Sequence, residues 1–441
     1  MAKIYQFDPF YYLLRPYVDY CTRSSYSRTK VSGEENIPTD GAVIIAPNHT
    51  NTLLDALVVL RARRRSTVFG ARADIFKKYG KILTFLKMVP MVRVRDGLRE
   101  VEKNRETNGQ LVEVLENGVP FCIFSEGKHR PKRSLLPITK GVVRLALEAN
   151  ESFGERKPVY IVPAGIEYGD FFRFRSSSLL QYGKAINVTE FVREHTEMNE
   201  AQIQMALRAE IAKGISNLIT YFEDDEQFDP KWAIFRVLTA GRKGDLVRKL
   251  ESNKAAAAKV EALFEQKPEE MASLAQKAEA FHEERKKEHI SMRSFRDTPL
   301  VISALWKLVA AIIGLPFFLL AGITSLPLWI FAELLCSKVK DKAFHNTMHF
   351  ASKLIFTPLI IILWAGLTFG LLPGIISHSS LGFACPALAW VIPTLLTAFV
   401  PFGYGIFYDY IEFLRIWFSD VRLSFNARLK KQYKEILSEI R

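Results

Sequence analysis

Three long runs without a single charge decide what the last third of this 441-residue chain can become. Residues 308–332 are 25 uncharged positions, 354–377 another 24 and 381–408 another 28. About 20 apolar helical residues cross the hydrocarbon core of a bilayer. A water-soluble domain has no need of such runs, so the region 299–408 reads as transmembrane. Charge then bears on the number of crossings. Lys338, Lys340, Lys342 and Lys353 follow the first run, and a basic tail, 409–441, follows the last. Basic loops stay on the cytoplasmic side. An even number of crossings keeps both segments with the basic N-terminal region. A tight or re-entrant hairpin over 300–335, where Pro316 and Pro327 interrupt the apolar pattern, would supply it.

Elsewhere the balance is basic: 60 Lys and Arg against 47 Asp and Glu, a net +13. That excess calls for an anionic partner, whether nucleic acid, a membrane surface or a phosphorylated substrate. The apolar last third selects the membrane and argues against nucleic acid. Cys21, Cys122, Cys336 and Cys385 stand apart from one another, which suggests neither a disulfide framework nor a zinc module and fits a reducing compartment. The N-terminus shows no apolar core followed by a small-residue cleavage site, so no signal peptide is expected. Residues 1–30 instead interleave Tyr5, Phe7, Phe10, Tyr11, Tyr12, Tyr17 and Tyr20 with Arg15 and Arg23. They suit an amphipathic membrane-surface segment, or a helix packed on the next domain.

Residues 31–190 alternate strand-like stretches (42–46, 67–71, 120–124, 159–166, 181–188) with helical patterns near 52–64, 73–86, 98–117 and 139–150. Such alternation predicts an α/β domain, a mixed sheet flanked by helices. From 191 to 298 the composition turns to Ala, Glu, Lys and Gln, which predicts a helical extension with solvated faces.

Within the α/β region one stretch concentrates chemistry. The buried-strand pattern Ala-Val-Ile-Ile-Ala at 42–46 runs into Pro47, Asn48, His49 and Thr50, and Leu53, Leu54, Leu57 and Val58 then repeat like a helix face. His49 and Asp55 at such a turn are the ingredients of a general base and the carboxylate that orients it. The spacing makes them no helix neighbours, so His49 belongs on the turn and Asp55 in the first helical turn. Thr52-x-x-Asp55 is equally a capping box, in which Asp55 only satisfies helix amides. Both readings stand at this point.

Three further stretches follow. In 89–95, Arg93 and Arg95 occupy alternate positions after an apolar run, and arginine forks match phosphate oxygens. In 121–130 a buried strand runs into Glu126, Gly127, Lys128, His129 and Arg130. Gly127 permits a sharp turn, and Lys128, His129 and Arg130 could meet an anion beyond the strand's carboxyl end; where the turn aims Lys128 and Arg130 inward, His129 is the exposed one. Lys140 opens the next helix. Pro163 kinks a buried strand over 159–166.

In this order, Asn-His…Asp, a Pro-Met-Val-x-Arg-like stretch, Phe-Ser-Glu-Gly and Val-Pro-Ala-Gly, the blocks resemble the glycerophosphate acyltransferase superfamily over residues 31–190. The resemblance implies that His49 is the base and Asp55 its partner, that Arg93, Glu126 and Gly127 belong to the acyl-acceptor site, and that Pro163 lies in the fourth block. Five residues separate His49 from Asp55 instead of the common four, which is similar to the branch acting on glycerol-3-phosphate and dihydroxyacetone phosphate. Lys87 stands where the second block often has glycine, and Ser125 where proline usually precedes Glu-Gly.

The reading that follows is an integral membrane O-acyltransferase with its catalytic domain on the cytoplasmic face. It would move a fatty acyl group from acyl-CoA or acyl carrier protein to glycerol-3-phosphate or a close relative. Acylation of 1-acylglycerol-3-phosphate or another lysophospholipid is the near alternative, and a non-catalytic lipid-binding or transport protein the far one. Neither cofactor nor metal is expected. His345 and His349, one helical turn apart, could ligate a metal but lack a neighbouring acid, and read as an interfacial pair.

Overall fold

The computed structural model describes residues 3–63, 66–92, 98–242, 244–296, 300–379 and 387–440. The chain divides into two compact units. One holds the residues up to Arg23 with Arg28–Phe171 and Ser176–Asp224; the other holds Ser24–Ser27, Phe172–Arg175 and the chain from Asp225 onward.

The first unit is organised around β2 (Ala42–Pro47), every residue of which is buried. A strand covered on both faces must be apolar throughout, which is why its sequence does not alternate. On one side it pairs in parallel with β6 (Val159–Tyr168), on the other with the short β5 (Phe121–Cys122). The full order is β1-β7-β6-β2-β5-β3-β4, with β8 (Ile186–Asn187) also on β6. β3 (Val68–Arg72) and β4 (Met88–Met91) extend the parallel part, while β7 (Ser177–Tyr182) and β8 run antiparallel to β6. The sheet is therefore mixed.

Two differences from the sequence reading concern this sheet. Arg28–Ser32 forms a strand, β1, parallel to β7, although its residues carry no buried-strand pattern. It lies at the sheet edge, where one side needs no apolar partner. The single strand expected over 181–188 is two, β7 and β8, broken where the Gly183 amide donates to the Pro163 carbonyl at 2.8 Å.

Helices cover the sheet. Ala42, Ile44 and Ala46 share one core with Leu111, Val114 and Leu115 of α4 (Leu98–Glu116) and with Val142, Val143 and Ala146 of α5 (Lys140–Phe153). Ile203, Leu207, Ile211 and Ile215 of α7 (Glu200–Ser216) join it at the four-residue spacing of one helix face. α1 (Pro9–Ser24), α2 (Thr52–Ala62), α3 (Ala73–Phe85) and α6 (Val188–Glu194) complete this unit.

The second unit is helical: α8 (Phe228–Leu238), α9 (Leu246–Gln266), α10 (Pro268–Lys287), α11 (Leu300–Ser337), α12 (His345–Ser377), α13 (Leu388–Phe425) and α14 (Ala427–Ile440). Among the described residues, α11, α12 and α13 are long and apolar enough to cross a membrane. The hairpin expected over 300–335 is not formed; α11 is one helix with Pro316 and Pro327 inside it. Proline removes one helical hydrogen bond and bends the helix, and in an apolar bundle the neighbours tolerate that. Trp417 and Tyr410 of α13 donate to the α11 carbonyls of Ala304 and Ala311 at 2.9 and 2.7 Å. Buried Asp420 receives Arg296 and Lys307, each at 2.5 Å. His345 and His349 take separate partners, the Val339 carbonyl and the Tyr404 hydroxyl.

Candidate active site

The site grows from the carboxyl end of β2. Its last pair in register with β6 is Pro47 with Ala164. Asn48 continues the ladder with its side chain: its carboxamide oxygen accepts the Ile166 amide at 2.6 Å and its nitrogen donates to the Ile166 carbonyl at 3.1 Å. The turn that follows is thereby clamped to β6.

His49 is held at both backbone groups. Its amide donates to Glu126 Oε1 at 2.7 Å, and its carbonyl accepts the Arg130 amide at 2.9 Å. The ring stacks on Phe124, centroids 4.3 Å apart, and its Nδ1 meets Asp55 Oδ2 at 2.8 Å. A carboxylate only accepts, so Nδ1 carries the proton and Nε2 is left as the basic nitrogen.

Asp55 is fully buried. Besides His49, its Oδ2 accepts the amides of Thr50 at 2.8 Å and Asn51 at 2.7 Å, and its Oδ1 accepts the Tyr168 hydroxyl at 2.7 Å. Four donors on one carboxylate compensate the cost of burying it. The two sequence readings of this motif are thus joined: Asp55 satisfies amides at the start of α2 and also orients the imidazole. Thr52 is not the cap; Asn51 holds that position, without a side-chain capping bond. Thr52 instead takes a left-handed backbone, φ 47°, a conformation that costs a side-chain-bearing residue about 1–2 kcal/mol.

Glu126 braces the turn. Its second oxygen, Oε2, accepts the Leu136 amide at 2.8 Å, so both carboxylate oxygens serve backbone donors. Burial pushes its pKa above the usual carboxylate range, and the two amides oppose that shift. Gly127 turns the chain at φ 72°, where a Cβ would also stand 3.2 Å from Thr139 Cγ2. Lys128 points to solvent. His129, expected to face away, meets the His49 ring edge-on at 5.8 Å. Arg130 donates to Ser134 Oγ at 2.7 Å and pairs with Asp224, which also takes Lys132 at 2.5 Å. Hydrogen bonds from Arg130 and then Lys132 hold the Asp224 carboxyl below its usual range.

Lys140 is exposed at the first position of α5. Pro163 is buried in β6 and packs against α7, where a Cβ on Gly214 would lie 2.6 Å from the proline Cγ. Arg93 and Arg95 lie outside the described residues. The structure therefore brings His49, Asp55, Glu126 and His129 together, ties Arg130 to an acid, and leaves Pro163 in the helix–sheet contact.

Tyr168 was not singled out by sequence. It is the last residue of β6, fully buried, with its carbonyl held by Arg133 at 2.6 Å. A tyrosine closing an apolar strand carries no local signal of its partner 113 positions away.

A buried carboxylate and an imidazole oriented by it, at the end of an α/β sheet, have the geometry to take a proton from a hydroxyl or thiol. Residues 28–167 match the family model described as Acyltransferase. That match, over about a third of the chain, identifies an acyltransferase domain. Over 104 residues the chain is 35% identical to glycerol-3-phosphate O-acyltransferase 2 of Saccharomyces cerevisiae, a match covering 23% of this chain and 14% of the yeast protein. A solved structure, the 1-acyl-sn-glycerophosphate (LPA) acyltransferase PlsC of Thermotoga maritima, is similar at 20% identity and a TM-score of 0.34, covering 47% of this chain and 80% of that one.

Proposed function

We propose that this chain is a membrane-bound O-acyltransferase of phospholipid synthesis, moving a fatty acyl group from a thioester to glycerol-3-phosphate or dihydroxyacetone phosphate. The thioester is acyl-CoA or acyl carrier protein, and the catalytic domain faces the cytoplasm. The observation that carries the reading is the 2.8 Å contact between His49 Nδ1 and buried Asp55, which leaves Nε2 as the base.

The acceptor hydroxyl gives its proton to His49 Nε2 as its oxygen attacks the thioester carbonyl carbon. The tetrahedral intermediate then collapses, the C–S bond breaks, and the departing thiolate takes the proton back from the imidazolium. Asp55 keeps the ring in one tautomer and stabilises its charged form. No enzyme group is acylated. Five residues between His49 and Asp55, together with the identity to the yeast enzyme over 104 residues, support a glycerol-3-phosphate-like acceptor.

The acceptor phosphate would draw on Arg93, Lys128 and Lys140, with Arg130 contributing by exchanging Asp224 for the ligand. Glu126 and Gly127 shape the loop that presents Lys128 and Arg130, and Pro163 serves the packing of β6 on α7.

Mass spectrometry of products from the purified chain tests the reading. Acyl-CoA is offered with glycerol-3-phosphate, dihydroxyacetone phosphate and 1-acylglycerol-3-phosphate in competition. The expected main product is the acylated form of one of the first two. A product formed only from the lysophospholipid would reassign the acceptor, and no acyl transfer to any of them would contradict the proposal.

A further inference from the structure

Helix α3 has an unusual surface for part of a folded domain: none of its residues is buried. Ile75, Tyr79, Ile82 and, just beyond it, Leu86 are all exposed, Ile82 at 59%. The spacing of four, three and four is that of a helix face, Ile75 and Ile82 lying on either side of a break in the backbone at Tyr79. The N-terminal helix α1 also exposes large apolar side chains, although Tyr11, Arg15, Cys21 and Thr22 are buried. Phe10 is 59% exposed and Leu13 74%, while its opposite side is anchored by buried Arg15, which donates to the Arg63 carbonyl at 2.7 Å.

The two helices meet where α3 ends. Phe10 of α1 and Phe85 of α3 meet with ring centroids 5.7 Å apart. Lys87, immediately after α3, is buried, and its Nζ donates to the Ile4 and Gln6 carbonyls at 2.6 and 2.7 Å. It holds a left-handed φ of 60° to do so. That geometry clasps the segment leading into α1 against the end of α3. Contiguous apolar surface of this kind on a soluble face marks a binding surface.

Charge selects the occupant. Between Arg72 and Leu86 stand Arg72, Lys77, Lys78 and Lys81 against a single acid, Asp74, which pairs with Arg72. The three lysines are exposed beside the apolar stripe. A second copy of the chain would bring the same cations against themselves, whereas anionic headgroups would complement them. Among the described residues the chain also carries three helices fit to cross a membrane, so a bilayer is tethered to this domain by covalent connection.

We propose that α1 and α3 together form a monotopic insertion surface that lies in the headgroup–acyl boundary of an anionic bilayer, with Lys87 as the clasp between them. This assignment is independent of the acyl-transfer chemistry. The sequence offered α1 alone as a surface segment; the exposed stripe of α3 makes the surface two-sided.

Tryptophan insertion in the full chain tests it, in vesicles of phosphatidylcholine and phosphatidylglycerol with lipids brominated along the acyl chains. The emission added by Ile82→Trp or Leu13→Trp should be quenched several-fold more than that added by Glu151→Trp, an exposed position on α5. Adding Lys77→Glu, Lys78→Glu and Lys81→Glu to Ile82→Trp should remove at least half of that quenching. Equal quenching at Ile82 and Glu151 would overturn the proposal. So would protection of the new tryptophan from both bromine and aqueous acrylamide, since a protein would then cover the stripe. Full quenching in the charge-reversed variant would overturn the assignment to an anionic surface.

Discussion

The Tyr168 hydroxyl donates to Asp55 Oδ1 at 2.7 Å, on the opposite oxygen from the one that holds His49. Asp55 is thus fixed from β6 as well as from its own helix, and its orientation does not depend on the imidazole. Tyr168→Phe removes one charge-assisted bond and leaves a buried lone pair unmet, a loss of about 1.5–3 kcal/mol. The expected result is a kcat lower by roughly ten- to a hundredfold with acceptor KM little changed. A purely structural role would instead lower the thermal midpoint and leave kcat per folded molecule unchanged.

Asp55→Asn is expected to be more damaging than its size suggests. Four donors converge on the carboxylate, and a carboxamide offers only one accepting oxygen. One of its two polar ends must face a donor with a donor. Turnover should fall on the order of a thousandfold or more, as expected when the orienting acid can no longer hold the reactive tautomer. Steady-state kinetics of the folded variant checks this.

Much of this arrangement was legible in the sequence, and the reasons it was legible are physical. β2 shows itself because a strand buried on both faces must be apolar throughout. His49 and Asp55 stand out because polar groups seldom interrupt such a pattern. Tyr168 was hidden, since its partner is distant in sequence and tyrosine is ordinary at a strand end. The brace role of Glu126 was also hidden, because its ligands are the backbone amides of His49 and Leu136, and amides have no sequence signature. The orientation of the basic cluster was misjudged for His129. Alternation predicts side-chain direction on a strand but not on the irregular loop after Gly127, where Asp224 captures Arg130. The outward face of α3 could not be read either, since its apolar spacing is equally that of a buried helix.

Lys87 offers a test of strain against clasping. Both Lys87→Ala and Lys87→Gly lose the two bonds to Ile4 and Gln6, but only glycine accepts the left-handed φ of 60° without cost. The glycine variant should therefore be the more stable of the two by about 1 kcal/mol. Chemical denaturation in detergent, followed by a signal from the first unit, measures the difference.

His282 in α10 gives a pH dependence. It is buried, donates through Nε2 to the Ala233 carbonyl at 2.9 Å and accepts Arg285 Nε at Nδ1 at 3.1 Å. Burial, then the neighbouring Arg236, lowers its pKa from 6.5 to about 3. The unfolded chain then binds the extra proton first, so stability is fully present above pH 6.5 and is lost as pH falls toward 3. His282→Gln, which keeps a donor and an acceptor but cannot titrate, should show a shallower fall in thermal midpoint over this window.

The proposed chemistry stands on His49 as the base. Purified wild type and His49→Ala are compared for acyl transfer to glycerol-3-phosphate and dihydroxyacetone phosphate at saturating acyl-CoA. The variant is expected to remain folded and to lose roughly a hundredfold or more in kcat, the usual contribution of a positioned proton acceptor. A folded His49→Ala variant with near-normal turnover on the acceptors would contradict it, and would leave Asp55 as no more than the carboxylate that satisfies the start of α2.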